Sequence, residues 1–481
     1  MSVYKFDASL RNKFFCLLNL PNKERVISFL RKFKNRKDIF IVGGAVRSLW
    51  TEEKIQDLDI SVKEGASELA YFASKYLNFH FVPLSQEFGI YRIAKKNYTI
   101  DFTDFKGSDL NEDLRSRDFT FNAMAIPLNS LFENRLTLID PFSGLEDLKK
   151  GHIRIIGEKN VLEDPLRILR GYRFFANGLG NFTEETQKIF IKHKNKLLLC
   201  AKERVLQELT YILLTSKTYE TFKLMDEHGV LEVIFPEIKI CKGVPQPTFH
   251  HLEVWEHMLE SLKWAEEILQ NPKKFLDPPL PSDLINEDFI ISVKLASLFH
   301  DLGKGYTFEK KGDKITFYGH EKVSAERFRE RAEILRFKKD LINKIAVLIK
   351  NHMRPVHLLN EKEAGRLTIR AKRKLIRDVP YLWELYIVAM ADSLASKGPD
   401  KEPDYEERLK IFFKELIAFK DELKKEEKKI RLITGYDLIN LGFKPGPIFK
   451  KILQEVEELV LEKKINSREE ALKFVIEKYK P

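Results

Sequence analysis

Residues 41–62 read IVGGAVRSLWTEEKIQDLDISV. The stretch opens as an apolar strand, breaks at Gly43 and Gly44, passes Arg47, and recovers into an apolar run carrying Asp57 and Asp59. Residues two apart on a strand share a face. Asp57 and Asp59 therefore converge, while Leu58 and Ile60 turn the other way into a core. Two carboxylates so close repel each other. Divalent cations such as Mg2+ resolve that repulsion, because hard cations prefer carboxylate oxygens.

The residues before the pair supply the rest of a site. Glycines let backbone amides approach an anion, a helix start behind them adds positive dipole, and Arg47 offers a forked donor for phosphate. A phosphate cradle beside a two-metal carboxylate pair suits nucleotidyl transfer, in which one metal activates a 3′-hydroxyl and the other holds a triphosphate. A third ligand is expected from a neighbouring strand, with Asp101 in YTIDFTDF the first candidate and Asp104 the second. Taken alone, D-x-D also fits a solvated strand face.

Around this stretch, DIFIVGG, DLDISV, FGIYRIA and YTIDFTDF read as strands and GASELAYFASKYL as a helix, so the first ~150 residues are mixed. From about Val161 the pattern is almost wholly helical. The proline-rich residues 271–288 read as a surface loop, SKGPDKEPD at 396–404 as a boundary, and KDELKKEEKKIR at 420–431 as a solvated helix face. The 481 residues exceed one ordinary core, so roughly three or four domains are expected. No window approaches ~18 uninterrupted apolar residues, so no membrane span is expected, and the N-terminus does not read as a signal peptide. Cys16, Cys200 and Cys241 lack paired spacing, which fits a reducing cytoplasm and no thiolate metal site. A net charge of +11 suits a phosphate-rich partner; a lysine-rich surface without such a partner reads equally from charge alone.

Four further motifs follow in order: DLRSRDFTFNAMA from Asp113, IDPFSGLEDL from Ile139, LEDPLRILRGYRF from Leu162 and KERVLQEL from Lys202. With residues 41–62 they resemble the class II tRNA nucleotidyltransferases, a family shared by CCA-adding enzymes and bacterial poly(A) polymerases. The resemblance implies an α+β fold. A DNA polymerase β-like head (mixed sheet with helices) would occupy 1–150 and an all-α neck for nucleobase recognition and RNA binding 151–245. A helical HD-type metal domain would occupy 246–396, and a helical tRNA-binding tail 397–481. It also implies tRNA as acceptor and CTP and ATP as donors. Gly43, Gly44 and Arg47 would bind the triphosphate, Asp57 and Asp59 would hold Mg2+ with Asp101 beside them, and Arg117, Asp118 and Asn122 would contact the nucleotide. One departure stands out: Ser48 occupies the position where the family usually has Asp, with LWT following where LLG is common. The missing carboxylate bears on how Arg47 or the primer end is oriented.

EDPLR also has a physical reading. Pro165 fits a first helical turn and Asp164 a cap, so a helix is expected to begin here. Asp164 and Arg167, three apart, would share its face. Cytosine and adenine each present an amino donor beside a ring-nitrogen acceptor. An Asp acceptor next to an Arg donor bonds that edge and rejects the reverse polarity of uracil and guanine. The family is understood to select C and A in this way without a template. Outside this ordered set, a local Asp–Arg pair is the plainer reading. Arg170 and Arg173 continue the positive face.

Histidines crowd into a second region. HHLEVWEHM holds His257, LFHDLGK holds His300 and Asp301, YGHEK holds His320, KNHMRP holds His352, and MADSLAS holds Asp392. Any one alone reads as a satisfied core residue, but the set buries charges that need a partner. Such donors on several helices suit a divalent transition metal whose bound water hydrolyses phosphate esters. His320 and His352 are then open to a second metal or to the phosphate. The pattern resembles the HD phosphohydrolase domain that some CCA-adding enzymes carry, which implies His257, His300, Asp301 and Asp392 as ligands.

GRLTIRAKRKLIRDV sets Arg366, Arg370, Arg373 and Arg377 at helical spacing, a stripe for RNA phosphates or a solvated face. ITGYDLINLGFKPGPIFKKILQEVEELV resembles the end of HD-containing CCA-adding enzymes. Three other readings stay open: a poly(A) polymerase, a metal phosphohydrolase with an inactive head, and a non-catalytic tRNA-binding protein. Within the family, members adding CCA, CC or A share these motifs. The switch from C to A depends on a loop between the metal-binding strand and RDFTFNAMA.

Overall fold

The computed structural model describes residues 2–312, 314–430, 432–461 and 464–479, with side chains described outside 424–430 and 461. Eight strands form one mixed sheet: β1 (Ser2–Phe6), β2 (Ile39–Val42), β3 (Asp57–Val62), β4 (His80–Ser85), β5 (Ile90–Lys95), β6 (Tyr98–Asp104), β7 (Ala125–Pro127) and β8 (Leu136–Asp140). Their spatial order is β1-β8-β7-β2-β3-β6-β5-β4, with β3 and β6 parallel and the other neighbours antiparallel. All four residues of β2 are buried, whereas β3 begins with Asp57 exposed, Leu58 buried, Asp59 half-buried and Ile60 buried. That alternation puts the apolar side of β3 into a core with Val46, Leu49, Leu69, Ala73, Ile93 and Phe102. The helix Ala66–Leu77, expected from its periodicity, packs on β5 and β6.

Strands β1, β4, β7 and β8 escaped the sequence reading. β1 and β4 are exposed edge strands with little alternation, and Pro83 interrupts β4. β7 is only three residues long.

Beyond the sheet the chain is helical, relieved by a short parallel pairing of Asn181–Phe182 with His152–Ile153 and by a hairpin of Glu309–Lys311 with Lys314–Thr316. One continuous cluster of buried apolar side chains extends from Phe119 to Leu416. Its centre is a bundle of Val254–Gln270, Glu287–Phe299, Lys339–Asn351 and Leu382–Ala395. Glu287–Phe299 and Leu382–Ala395 are buried nearly all round. Residues 271–288 differ from the expected surface loop: Phe275, Leu276 and Leu280 are buried in this core, which anchors the segment. The expected boundary at 396–404 is also tied down. Gly398 N donates to Phe249 O at 3.0 Å and Lys401 Nζ to Ser396 O at 2.7 Å. The following helix, Tyr405–Ile430, sends Leu409, Phe412, Phe413 and Leu416 back into the same core. The tail has a small core of its own around Leu438, Phe443, Ile452, Val456 and Val475. The mixed-charge run at 420–431 lies, from residue 424 onward, outside the described side chains.

A buried lysine fastens the bundle to the preceding helices. Lys294 Nζ donates to Thr215 O at 2.6 Å, Thr218 Oγ1 at 2.9 Å and Glu266 Oε1 at 2.8 Å. Glu266 in turn accepts from Thr218 N at 2.8 Å and Tyr219 N at 3.2 Å. Every donor is matched, so the buried charge is tolerable; removing one partner strands the other. Lys294→Met is expected to cost about 3 kcal/mol, read from urea unfolding. The double variant Lys294→Met with Glu266→Leu should recover much of that loss.

Candidate active site

Strand β2 ends at Val42, and the chain turns through Gly43 at φ +69° into the helix Gly44–Thr51. Positive φ favours glycine, and space demands it too, because a Cβ at Gly43 would collide with the Asp59 carboxylate. Asp59 lies beside Val42 on one side and Asp101 on the other. The parallel β3–β6 register therefore lines up Asp57, Asp59 and Asp101 on one face. Thr99 Oγ1 donates to Asp57 Oδ1 at 2.7 Å, and Arg92 donates Nε and Nη2 to the two oxygens of Asp101, each at 2.7 Å. Asp104, three residues on from Asp101, faces the other way and accepts from Ala66 N at 2.9 Å. It holds a helix start and does not join the carboxylates.

Burial pushes the Asp59 carboxyl up to about 6, with Asp101 and Asp57 adding to the rise against the pull of Arg117. A half-buried carboxylate crowded by two others fits a divalent cation.

Arg47 rises from the first helical turn into an enclosure. Its Nη1 donates to Asn122 Oδ1 at 2.5 Å, Nη2 lies 3.6 Å from Glu53, and the guanidinium sits 5.2 Å from the Phe174 ring centre and 5.9 Å from that of Phe121. Ser48, the departure from the family pattern, turns its hydroxyl back onto Gly44 O at 3.0 Å. Glu53 is the carboxylate that faces Arg47 in this chain. Asp118 accepts from Phe119 N at 2.8 Å and Asn122 Nδ2 at 3.0 Å, and pairs with Arg170 at 2.7 Å. Burial alone would raise its carboxyl; Arg170 and Asn122 outweigh that and hold it below its usual value. Arg117 pairs with buried Asp113 at 3.4 Å, and Arg173 with Glu208 at 3.2 Å.

The expected helix start at Pro165 is met to within two residues, with Asp164 in a cap role: its Oδ1 accepts from Leu166 N at 3.3 Å and its carbonyl from Arg167 N at 3.1 Å. Asp164 ends the helix Glu158–Glu163 in an extended conformation, and the next helix runs Arg167–Ala176. A residue preceding proline is driven out of the helical region, so Asp164 sits at a joint between two helices. Its carboxylate does not pair with Arg167. Arg204 donates to Asp164 Oδ2 at 2.8 Å, while Arg167 donates to Ser116 O at 2.8 Å and to Arg117 O and Asn160 O at 3.2 Å each. The proposed arginine stripe also changes. Arg366 precedes the helix Ile369–Asp378 and bonds Glu361, while Arg377 lies 3.5 Å from Glu458 of the tail.

The histidine set comes together in the bundle. His257 Nε2 is 3.0 Å from Asp392 Oδ1 and 3.2 Å from His300 Nε2, and His300 Nε2 is 3.2 Å from Asp301 Oδ2. On the other side of Asp301, Oδ1 lies 3.2 Å from His320 Nε2 and 3.6 Å from His352 Nε2. His300, His320 and His352 each direct Nδ1 at the backbone carbonyl three residues earlier, at 2.7–2.9 Å. That carbonyl holds the proton on Nδ1 and leaves the Nε2 lone pairs converging on the carboxylates, a donor set that fits a divalent metal. Two overlapping triads meet this geometry: His257, His300 and Asp392, and His300, Asp301 and His352. Burial would depress His300, yet Asp301 and Asp392 lift it to about 10. Without a metal, a proton on His300 Nε2 and the Lys304 ammonium, 2.6 Å from Asp301, face the carboxylates where a metal would bind.

Arg92 carried no readable signal, being one charge in an alternating strand. Asp113 and Glu208 lie inside DLRSRDFTFNAMA and KERVLQEL, and Lys304, 2.6 Å from Asp301, and His250, whose ring lies 4.6 Å from that of His257, lie inside LFHDLGK and HHLEVWEHM, but those stretches gave none of the four a role.

Carboxylates gathered on the β3–β6 seam beside a glycine-bounded helix start define a divalent-metal-dependent nucleotidyltransferase. The profile of the Poly A polymerase head domain matches residues 39–154, and that of a probable RNA- and SrmB-binding site of polymerase A matches 181–241. An HD domain matches 254–396, and a putative tRNA nucleotidyltransferase domain 2 matches 405–475. The CC-adding tRNA nucleotidyltransferase of Thermus thermophilus is 30% identical, over 92% of this chain and 94% of its own length. The A-adding tRNA nucleotidyltransferase of Deinococcus radiodurans is 28% identical, over 90% and 94%. The Thermotoga maritima CCA-adding enzyme, solved in complex with tRNA, shares the fold with a TM-score of 0.61 at 24% identity, over 99% of each chain. The chain belongs to the class II tRNA nucleotidyltransferase family, with an HD domain. No helix among the described residues is long and apolar enough to cross a membrane.

Proton and metal compete for Asp59. Its carboxyl titrates near 6, above the ordinary range, so protonation favours the metal-free fold as pH drops through that value. Mn2+ affinity at this site should hold level above pH ~6 and fall about tenfold per pH unit below it, as followed by electron paramagnetic resonance. His300→Ala with Asp301→Ala should empty the HD centre, read as divalent-metal content per chain, and leave nucleotidyl transfer within about twofold.

Proposed function

We propose that this enzyme adds two cytidines from CTP to the 3′ end of immature tRNA and stops. The observation that carries the reading is the connection between β6 and Arg117, residues 105–116. It lies within the interval between the metal-binding strand and RDFTFNAMA, residues 63–116, in which the resemblance places the loop that governs the switch from C to A. The connection is short and held by its own hydrogen bonds and by one from β3. Asp113 accepts from Lys106 N at 3.1 Å and Ser61 Oγ at 3.0 Å, and Asp109 caps the helix Leu110–Arg115 through Glu112 N at 3.0 Å. Ser108 N donates to Glu112 Oε2 at 2.7 Å, and Gly107, at φ +106°, is closed over by the Glu112 side chain. These bonds leave residues 105–116 little freedom to act as a lever that reshapes the pocket for adenine. The CC-adding activity named for the Thermus relative supports the same reading.

Asp57 and Asp59 hold Mg2+, which when bound supplies the charge that activates the primer hydroxyl and neutralises the triphosphate. The amides after Gly43 and Gly44 and the Arg47 guanidinium orient the triphosphate. Arg117, with Asp118 and Asn122, positions the ribose end, and Asp118 itself is steadied by Arg170 and indirectly by Arg173. Asp164 and Arg167 read the cytosine edge once nucleotide draws them from Arg204 and from the backbone carbonyls. tRNA lies along the helical body and tail, bound through backbone and shape. The HD centre takes a divalent transition metal on His257, His300, Asp301 and Asp392, with His320 and His352 adjoining, and hydrolyses phosphate esters. The enzyme works in the cytoplasm.

Three tRNA transcripts test this, ending at the discriminator base, after CC, and after CCA, each with CTP, ATP or both. Two cytidines on the first and nothing on the others is the expected result. Terminal A on the second transcript would overturn it in favour of a CCA- or A-adding enzyme, and long A tails in favour of a poly(A) polymerase. Asp57→Ala with Asp59→Ala should cut incorporation by at least about a thousandfold while tRNA binding in a filter assay persists.

A further inference from the structure

The three carboxylates on the β3–β6 seam are not equivalent. Asp57 accepts one hydroxyl, from Thr99, while both oxygens of Asp101 are taken by the Arg92 fork at 2.7 Å each. Arg92 stands directly across from Asp101 on β5, so β3, β6 and β5 present Asp59, Asp101 and Arg92 in one row. A guanidinium in this planar, two-point geometry gives the strongest pairing available to a carboxylate. The interaction with Asp101, joined by the fields of Asp57 and Asp59, raises Arg92 above its usual value despite partial burial.

We propose that Arg92 is a positioning residue of the transferase, which withholds Asp101 from the metal-binding set and so confines the metals to Asp57 and Asp59. Its positive charge offsets the third carboxylate, and its fork fixes that carboxylate beside Asp59 as an oriented wall of the site. Without Arg92, Asp101 is free to turn toward the metals. They then bind more tightly, in a geometry that no longer serves the 3′-hydroxyl. This inference rests on the reading of Asp57 and Asp59 as metal holders.

The test is Mn2+ binding by electron paramagnetic resonance, in a chain whose HD centre is removed by His300→Ala and Asp301→Ala, paired with CTP incorporation by the otherwise unaltered enzyme. Arg92→Gln should tighten Mn2+ about threefold or more and lower kcat about tenfold, so that affinity and rate move in opposite directions. A residue that served only the fold would lower both. Adding Asp101→Asn to Arg92→Gln should abolish the tightening, and Asp101→Asn alone should shift Mn2+ affinity less than about twofold. Arg92→Lys restores charge but not the fork, and should return Mn2+ affinity to the parent value while kcat stays reduced; its thermal melting checks the fold independently. Weaker Mn2+ binding in Arg92→Gln, or a loss in Asp101→Asn as large as that in Asp57→Asn, would overturn the proposal. If Asp57→Asn leaves Mn2+ binding intact, it is the reading of the metal site itself that fails.

Discussion

Repulsion between carboxylates forced together by strand register is the constraint on which the head depends. Parallel pairing of β3 with β6 leaves Asp59 no choice but to stand beside Asp101, with Asp57 two residues away on the same face. Its neighbours serve that crowding. Gly43 has no side chain because Asp59 occupies the space, Arg117 faces Asp59 from the turn after Leu110–Arg115, and Arg92 takes up Asp101. The apolar underside of β3 provides the force that holds the arrangement, since slipping the strand by one residue would bury the aspartates and expose Leu58 and Ile60.

The HD centre meets a related difficulty by another route. There the carboxylates are enclosed by helices and face the Lys304 ammonium together with imidazoles whose Nδ1 protons are pinned to backbone carbonyls at Ser297, Phe317 and Ile349. One centre is a rank on a sheet, partly open to a polyanionic substrate. The other is a cluster of buried side chains in which only Asp392 is half-buried. The two sites therefore differ in access as well as in donor type, hard oxygen in the head and mixed nitrogen and oxygen in the bundle.

Much of this was legible in the sequence because it is periodic or local. The alternation of DLDISV fixed which side Asp57 and Asp59 share, and the cluster of His and Asp on apolar helices announced a metal-type site before any coordinates. What could not be read depends on partners distant in sequence. Arg92 gains meaning only when β5 pairs with β6, and Arg204 only when its helix passes the joint at Asp164. At Pro165 two effects agree: proline is welcome in a first turn, and it drives its predecessor out of the helical region, which leaves Asp164 extended and able to cap Leu166 N. Edge strands β1 and β4 were invisible because neither face of them is fully buried. The proline-rich stretch at 271–288 looked like surface because its three buried apolar residues are irregularly spaced.

The fastening at Lys294 also bears on the order in which the chain acquires its structure. A charged side chain of this depth cannot be enclosed before its partners are in place, because an unpaired buried ammonium is far costlier than a delayed helix. Its partners Thr215, Thr218 and Glu266 all precede it in the chain. A polypeptide emerging from the ribosome N-terminus first presents those acceptors before Lys294 appears. Residues 215–219 and the helix Val254–Gln270 therefore form the template on which Glu287–Phe299, and with it His300 and Asp301, come to rest. The HD centre is thus laid down on a scaffold made of residues 215–219 and the first helix of its own bundle.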